Sequence, residues 1–261
     1  MLISLALAGS LLPAPQRAFS VVAKFPAAEA TQGVAVDDRH FYAITNRRIG
    51  KYDRKTGAKR ASFEDAPNGR LIHMNGGVVH RGKLYASHSN FPETPMVSSI
   101  EVFDTRTLRH ERSIPLGIGR GSLVWAIPGP NGTWWACYGH YNGRGGEAGM
   151  TNDRTVLDVL DDRFRPTGGF GFPKELVARW DGMTASGAAW AAPGVLFTTG
   201  HHAPEVHVLR VPRAGGKLVL TEVISTPCEG QGIDYDPKTK TLWQIQRRER
   251  AVYVLSLNPP L

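Results

Sequence analysis

Hydrophobic residues fall in short runs separated by turn-forming residues, and the runs recur in one order. Val34-Ala35-Val36, Phe41-Tyr42-Ala43-Ile44 and Ile49-Gly50-Lys51-Tyr52 are divided by Asp37-Asp38-Arg39 and by Asn46-Arg47-Arg48. Runs this short, rich in β-branched and aromatic residues and bounded by Gly, Asn and Asp, predict strands. No amphipathic helical pattern of convincing length interrupts them.

The same grammar returns along the chain. A polar residue precedes a strand of small residues, a tight turn leads to an aromatic strand, and a loop leads to a third strand and an outer one. The innermost strands are predicted at 32–36, 74–79, 121–126, 186–190 and 231–235, and the turns that follow carry Asp37-Asp38, Arg81-Gly82, Asn131-Gly132, Pro193-Gly194 and Asp236-Pro237. A unit of about 49 residues repeated five times is the signature of propeller blades. The fifth unit lacks an outer strand, and Phe19-Ser20-Val21-Val22-Ala23-Lys24-Phe25 is a spare one. The expected fold is an all-β, five-bladed propeller over residues 19–261, its ring closed by that N-terminal strand, which removes an exposed sheet edge. Gly, Ala and Ser in each first strand suit the lining of a narrow channel, where backbones approach closely.

Antiparallel strands bring the loop before each innermost strand and the loop between second and third strands to one face. That face collects Gln32, His73, Asn75, Arg120, Ser122, Ser186, Glu229 and Gln231 from the entries, and Asn46, His88, His140, His201, His202 and Arg247 from the second set. His88, His140 and His201 stand at nearly equivalent positions of three adjacent units. Three imidazoles can hold one divalent metal cation and leave a position for water; the bland alternative is that each bonds a loop carbonyl. In the metal reading Glu229 moves protons, with His73 beside it as a second catalytic candidate. Arg120 and Arg247 orient substrate, and Gln32, Asn46, Asn75 and Gln231 complete the polar wall. Phe91-Pro92-Glu93-Thr94-Pro95-Met96 has the composition of a rigid wall, and the glycine-rich 141–150 that of a flap.

Composition narrows the functional classes. The 261 residues include 29 Gly and 18 Pro with 41% hydrophobic content, which excludes a disordered chain. The net charge of +8 is scattered over strands and turns without an aromatic-basic stacking motif, so nucleic acid is not expected as a partner. Arg47, Arg48, Arg247, Arg248 and Arg250 are the local exception. They come from the first and last units, neighbours after closure, and a basic side suits a carboxylate- or phosphate-bearing small molecule. Cys137 and Cys228 are too few for a disulfide scaffold and are expected to stay unbridged. Residues 1–18 read as a signal peptide, not a membrane span, which places the protein in the periplasm or outside the cell. A monomer is expected.

The stretches His73-Met74-Asn75-Gly76-Gly77, His88 through Met96 and Gly200-His201-His202-Ala203-Pro204-Glu205 resemble bacterial five-bladed propeller proteins of cycloisomerase-like type. A weaker resemblance, on Thr31-Gln32-Gly33 and the blade count, is to plant-type glutamine cyclotransferases, which close N-terminal glutamine to pyroglutamate. The acidic motif of that family is replaced here by Ala43-Ile44-Thr45-Asn46. The leading expectation is an exported enzyme performing metal-assisted lactone hydrolysis, isomerisation or lyase chemistry on an anionic or sugar-derived small molecule. A non-catalytic binding scaffold and a glutamine cyclase are the alternatives.

Overall fold

The computed structural model describes residues 16–261. The signal-peptide expectation lies, apart from its last three positions, outside the described residues. The described chain forms five four-stranded antiparallel sheets, each built from strands that are consecutive in sequence except the last. These are the blades of a five-bladed propeller.

Strand β1 (Ala18–Pro26) is the N-terminal strand. Blade 1 comprises β2 (Gly33–Val36), β3 (His40–Ile44), β4 (Arg48–Asp53) and β5 (Lys59–Glu64). Blade 2 comprises β6 (His73–His80), β7 (Lys83–Ser89), β8 (Val97–Asp104) and β9 (His110–Ile118). Blade 3 comprises β10 (Ser122–Pro128), β11 (Trp134–Gly139), β12 (Val156–Leu160) and β13 (Pro166–Gly171). Blade 4 comprises β14 (Gly187–Ala192), β15 (Val195–Thr199), β16 (Glu205–Arg210) and β17 (Val219–Ser225). Blade 5 takes β18 (Ile233–Asp236), β19 (Thr241–Gln246) and β20 (Ala251–Asn258) from the end of the chain and β1 from its start.

The closing strand behaves as the sequence predicts. It pairs antiparallel with β20 from Ala18 opposite Asn258 to Pro26 opposite Ala251, with one register shift between Val21 and Ala23. Phe25 then stacks on Phe41 of blade 1 and Trp243 of blade 5, at 5.5 and 6.1 Å between ring centres. The outermost strand thus ties the two ends of the ring together through aromatic packing as well as through its ladder.

Apolar clusters fill the spaces between sheets. Val34, Phe41 and Tyr52 of blade 1 pack with Trp243 and Val252 of blade 5, and Trp125 and Trp135 of blade 3 pack with Leu196 and Leu209 of blade 4. Trp125 and Trp243 are core residues, and Trp135 and Tyr138 are buried in the core as well. Cys137 and Cys228 are both buried and unbridged. A short helix, α1 (Lys174–Arg179), follows Pro173; it is the one α-helix among the described residues, and the sequence pattern does not reveal it. It buries Leu176, and Trp180 at its end packs edge-on against Phe172 at 5.1 Å.

The waist of the ring is set by glycine. A Cβ on Gly33 would stand 2.5 Å from the Asn75 carbonyl oxygen, one on Gly187 2.7 Å from the Ile233 amide, and one on Gly232 2.4 Å from Cα of Gly33. In each case the obstacle is the backbone of the neighbouring blade, which cannot swing aside as a side chain can. Gly232→Ala should therefore cost about 1–3 kcal/mol in urea unfolding. Gly216→Ala, with no atom within 4 Å of its added methyl, should be close to neutral.

Candidate functional site

The mouth ends of all five blades converge on one cavity of about 230 Å³. Gln32 and Asn46 come to it from blade 1, His73, Asn75, Phe91 and Pro92 from blade 2, and Tyr141 and Arg144 from blade 3. Met183, Thr184, Ser186 and His201 enter from blade 4 and its approach, and Gln231 and Arg247 from blade 5. Every blade contributes, which the antiparallel ladder requires once the ring is closed.

Side-chain amides hold one half of the wall. Gln32 Nε2 donates to Asn46 Oδ1 at 2.7 Å, and Gln32 Oε1 accepts from Arg247 Nη2 at 3.1 Å. Arg247 Nε donates to the Thr31 carbonyl at 2.8 Å, so the guanidinium from blade 5 is fixed by blade 1. Asn75 Nδ2 donates to the Leu123 carbonyl at 3.1 Å, tying blade 2 to blade 3. Gln231, held at φ +62°, donates from Nε2 to the His201 carbonyl at 3.1 Å and so positions the histidine loop. His201 lines the cavity while His202 is exposed, its Nε2 2.8 Å from His201 Nδ1.

The other half is aromatic. The His73 ring lies 4.9 Å from Phe91, and Phe91 lies 5.0 Å from Tyr141. A Cβ on Gly145 would strike the Phe91 ring at 2.2 Å, so the glycine-rich segment passes directly over it. That segment is anchored: Glu147 Oε1 accepts from the Met96 amide at 2.9 Å, and its other oxygen lies 3.6 Å from His140 Nδ1. The wall and flap of the sequence reading meet here, and the flap brings Arg144 with it.

Charge in the cavity is of one sign. Arg247 and Arg144 are present, no Asp or Glu lines it among the described residues, and Arg247 forms no ion pair there. Burial first, then a neighbouring imidazole (His88 for His73, His202 for His201) and the guanidinium of Arg247, holds His73 and His201 down to about 4, so both are neutral at physiological pH. Burial pushes the Tyr141 phenol up to about 12, so it stays protonated.

Of the predicted site residues, Gln32, Asn46, His73, Asn75, His201, Gln231 and Arg247 stand together. Four do not. His88 pairs with Met74 across the β6–β7 ladder and shares its side of the sheet, which faces the packing between blades. Its Nε2 accepts from the Ile72 amide at 3.1 Å and its Nδ1 lies 3.0 Å from Ser99 Oγ, which itself donates to the buried Glu101. His140 is buried between Gly121 and Glu147. The expected meeting of His88, His140 and His201 around one cation is thus not formed, and among the described residues no three His, Cys, Asp or Glu side chains cluster to hold a metal ion. Arg120 is paired with Asp158 and lies over Tyr138, and Glu229 is paired with Arg248 at 3.0 Å, so neither reaches the cavity. Of the five clustered arginines only Arg247 lines it: Arg47 is bonded to the Ala66 carbonyl and Arg250 to that of Ala28, and Arg48 is exposed. Met183 and Thr184 were missed because they precede the fourth entry loop in a stretch with no repeat counterpart.

The neutral state of the two histidines has a consequence for stability. The unfolded chain takes up protons near the ordinary imidazole value of 6.5, the folded one only near 4. Their contribution is therefore full above pH 6.5 and is lost as pH falls from 6.5 toward 4. In Arg247→Met both imidazoles should titrate at higher pH than in the wild type, measured by NMR of the ring nuclei.

Comparison with known proteins bears on the fold. No protein-family model matches the chain, and no curated protein matches it in sequence. Among solved structures, glutaminyl cyclase from Myxococcus xanthus is similar over 92% of this chain and 97% of its own, with 14% identity and a TM-score of 0.61. A PQQ-bound aldose sugar dehydrogenase from Streptomyces coelicolor is similar over 95% and 84%, with 16% identity and a TM-score of 0.55. The apo aldose sugar dehydrogenase from Escherichia coli is similar over 94% and 100%, at 10% identity and a TM-score of 0.52. Among the described residues no helix is long and apolar enough to cross a membrane. What these likenesses establish is the β-propeller architecture.

Proposed function

We propose that the mouth cavity binds a small anionic molecule, a sugar-derived or other carboxylate, and that His73 and His201 supply proton transfer to it. One observation carries this reading: Arg247 and Arg144 line the cavity with no carboxylate opposite them. A partly buried guanidinium without a counter-charge retains donors in a planar fork suited to a carboxylate. Arg247 is also pre-oriented by its bonds to Thr31 and Gln32, so little ordering remains at the moment of binding.

Neutral imidazoles beside a bound anion have the state a general base requires. His73 or His201 accepts a proton from the substrate or from a water attacking it. The imidazolium so formed is stabilised by the substrate's negative charge, which offsets the field of Arg247. Asn46, Asn75 and Gln231 give donors for a developing oxyanion on the sugar or lactone ring. Lactone opening or a lactone-forming isomerisation fits this equipment. The periplasm or the exterior remains the proposed compartment.

The binding-scaffold alternative uses the same cavity without turnover. Cyclisation of N-terminal glutamine is weighed down by electrostatics, because a substrate carrying an α-ammonium group would enter beside two guanidinium groups and no carboxylate.

The test is calorimetric titration with gluconate, and lactone hydrolysis followed by pH-stat with glucaro-1,4-lactone, which keeps a free carboxylate beside its lactone ring. Arg247→Met should weaken gluconate binding by about tenfold or more. His73→Gln and His201→Gln should bind gluconate but lose lactone turnover by about a hundredfold. EDTA should leave both binding and turnover unchanged, and a loss on chelation would restore the metal-assisted alternative.

A further inference from the structure

At the opposite end of the channel, the turns that leave the innermost strands enclose a second and larger cavity of about 590 Å³, within the range of small-molecule sites. It shares no lining residue with the mouth cavity. Its charged groups are mostly satisfied. Asp38 pairs with Lys238 at 2.5 Å and Asp236 with Arg54 at 2.6 Å. Asp37 accepts from the Tyr42 hydroxyl and from the amides of Arg39 and His40, each at 2.7 Å.

Lys51 and Asp234 are different. Lys51 is only 8% exposed, donates from Nζ to the Thr105 carbonyl at 2.7 Å, and has no carboxylate within ion-pair distance among the described residues. Asp234 is 9% exposed and accepts from the Val36 amide through Oδ2 and the Tyr235 amide through Oδ1, each at 2.8 Å, with no cationic partner among the described residues. An ammonium has three donors and a carboxylate about four acceptor sites, so each group keeps unused capacity. Burial without a counter-charge is costly, and burial holds the Asp234 carboxyl up at about 7. The two opposite charges line one cavity and do not pair with each other. Between blades 3 and 4 the wall is apolar, where Trp190 donates from Nε1 to the Pro128 carbonyl at 2.8 Å.

We propose that this second cavity is a binding site for a zwitterionic small molecule of short-peptide size, its carboxylate seated on Lys51 and its ammonium on Asp234. The ligand supplies the counter-charge that neither side chain finds in the protein. Both residues also fasten blades, Lys51 holding blade 1 to blade 2 and Asp234 holding blade 5 to blade 1. A purely fastening role would lower stability on substitution but would give no discrimination between charged and capped ligands.

Calorimetric titration with dialanine and trialanine, each free, N-acetylated or C-amidated, separates the two roles. The wild-type chain should bind a free peptide and bind both capped forms at least about tenfold more weakly. Lys51→Met should no longer distinguish the free peptide from its amide, and Asp234→Asn should no longer distinguish it from the N-acetylated form. Absence of binding by both free peptides, or equal affinity for free and capped forms, overturns the proposal on the wild-type chain alone, whether or not the variants fold. Arg247→Met, at the other mouth, should leave peptide binding unchanged, so failure of the anion reading and failure of this one are distinguishable.

Discussion

The approach of neighbouring backbones at the waist governs what the rest of the molecule can be. Gly33, Gly187 and Gly232 stand where a single methyl group would meet the main chain of the next blade. Such spacing is available only to residues without Cβ. It lets five innermost strands gather around one axis, and it draws their loops close enough to share a small cavity. A wider ring would leave Gln32 of blade 1, His73 of blade 2 and His201 of blade 4 on separate rims. The grouping of side chains at the mouth is thus a consequence of packing at the centre.

Closure makes that waist durable. Because β1 completes the sheet begun by β18, the first and last strands of the described chain are fastened by their ladder, and Phe25 adds aromatic packing across the seam. The site crosses the same seam: Arg247 of blade 5 is oriented by Thr31 and Gln32 at the entrance to blade 1.

The sequence disclosed the fold and one face of it with few errors, because strand alternation and turn chemistry are local and repeat five times. Placing Gln32, Asn46, Asn75, Gln231 and Arg247 at one mouth required only the direction of each strand. Orientation about the strand was harder. His88 looks equivalent to His201 in the alignment of repeats, yet it is the last but one residue of β7, where the pleat turns it toward Met74, whereas His201 lies beyond the end of β15 in the loop. A shift of three residues relative to the strand end separates a buried hydrogen-bond acceptor from a cavity wall. Arg120 and Glu229 stand away from the cavity for a different reason. Each found an opposite charge nearby, Asp158 and Arg248, and pairings between residues distant in sequence leave no local trace.

The two ends of the channel differ in how they treat charge, and the difference follows from the strand order. Turns after the innermost strands need Asp, Gly and Pro to reverse the chain, so carboxylates such as Asp37 and Asp236 accumulate there and are met by Tyr42, Arg54 and backbone amides. The loops at the other mouth are longer and free of that requirement, and their carboxylates, Glu147 and Glu229, are engaged away from the cavity. One end therefore carries a net positive lining and the other opposite charges held apart. The two linings share no residue, so a substitution at one reaches the other through the inner strands that join them.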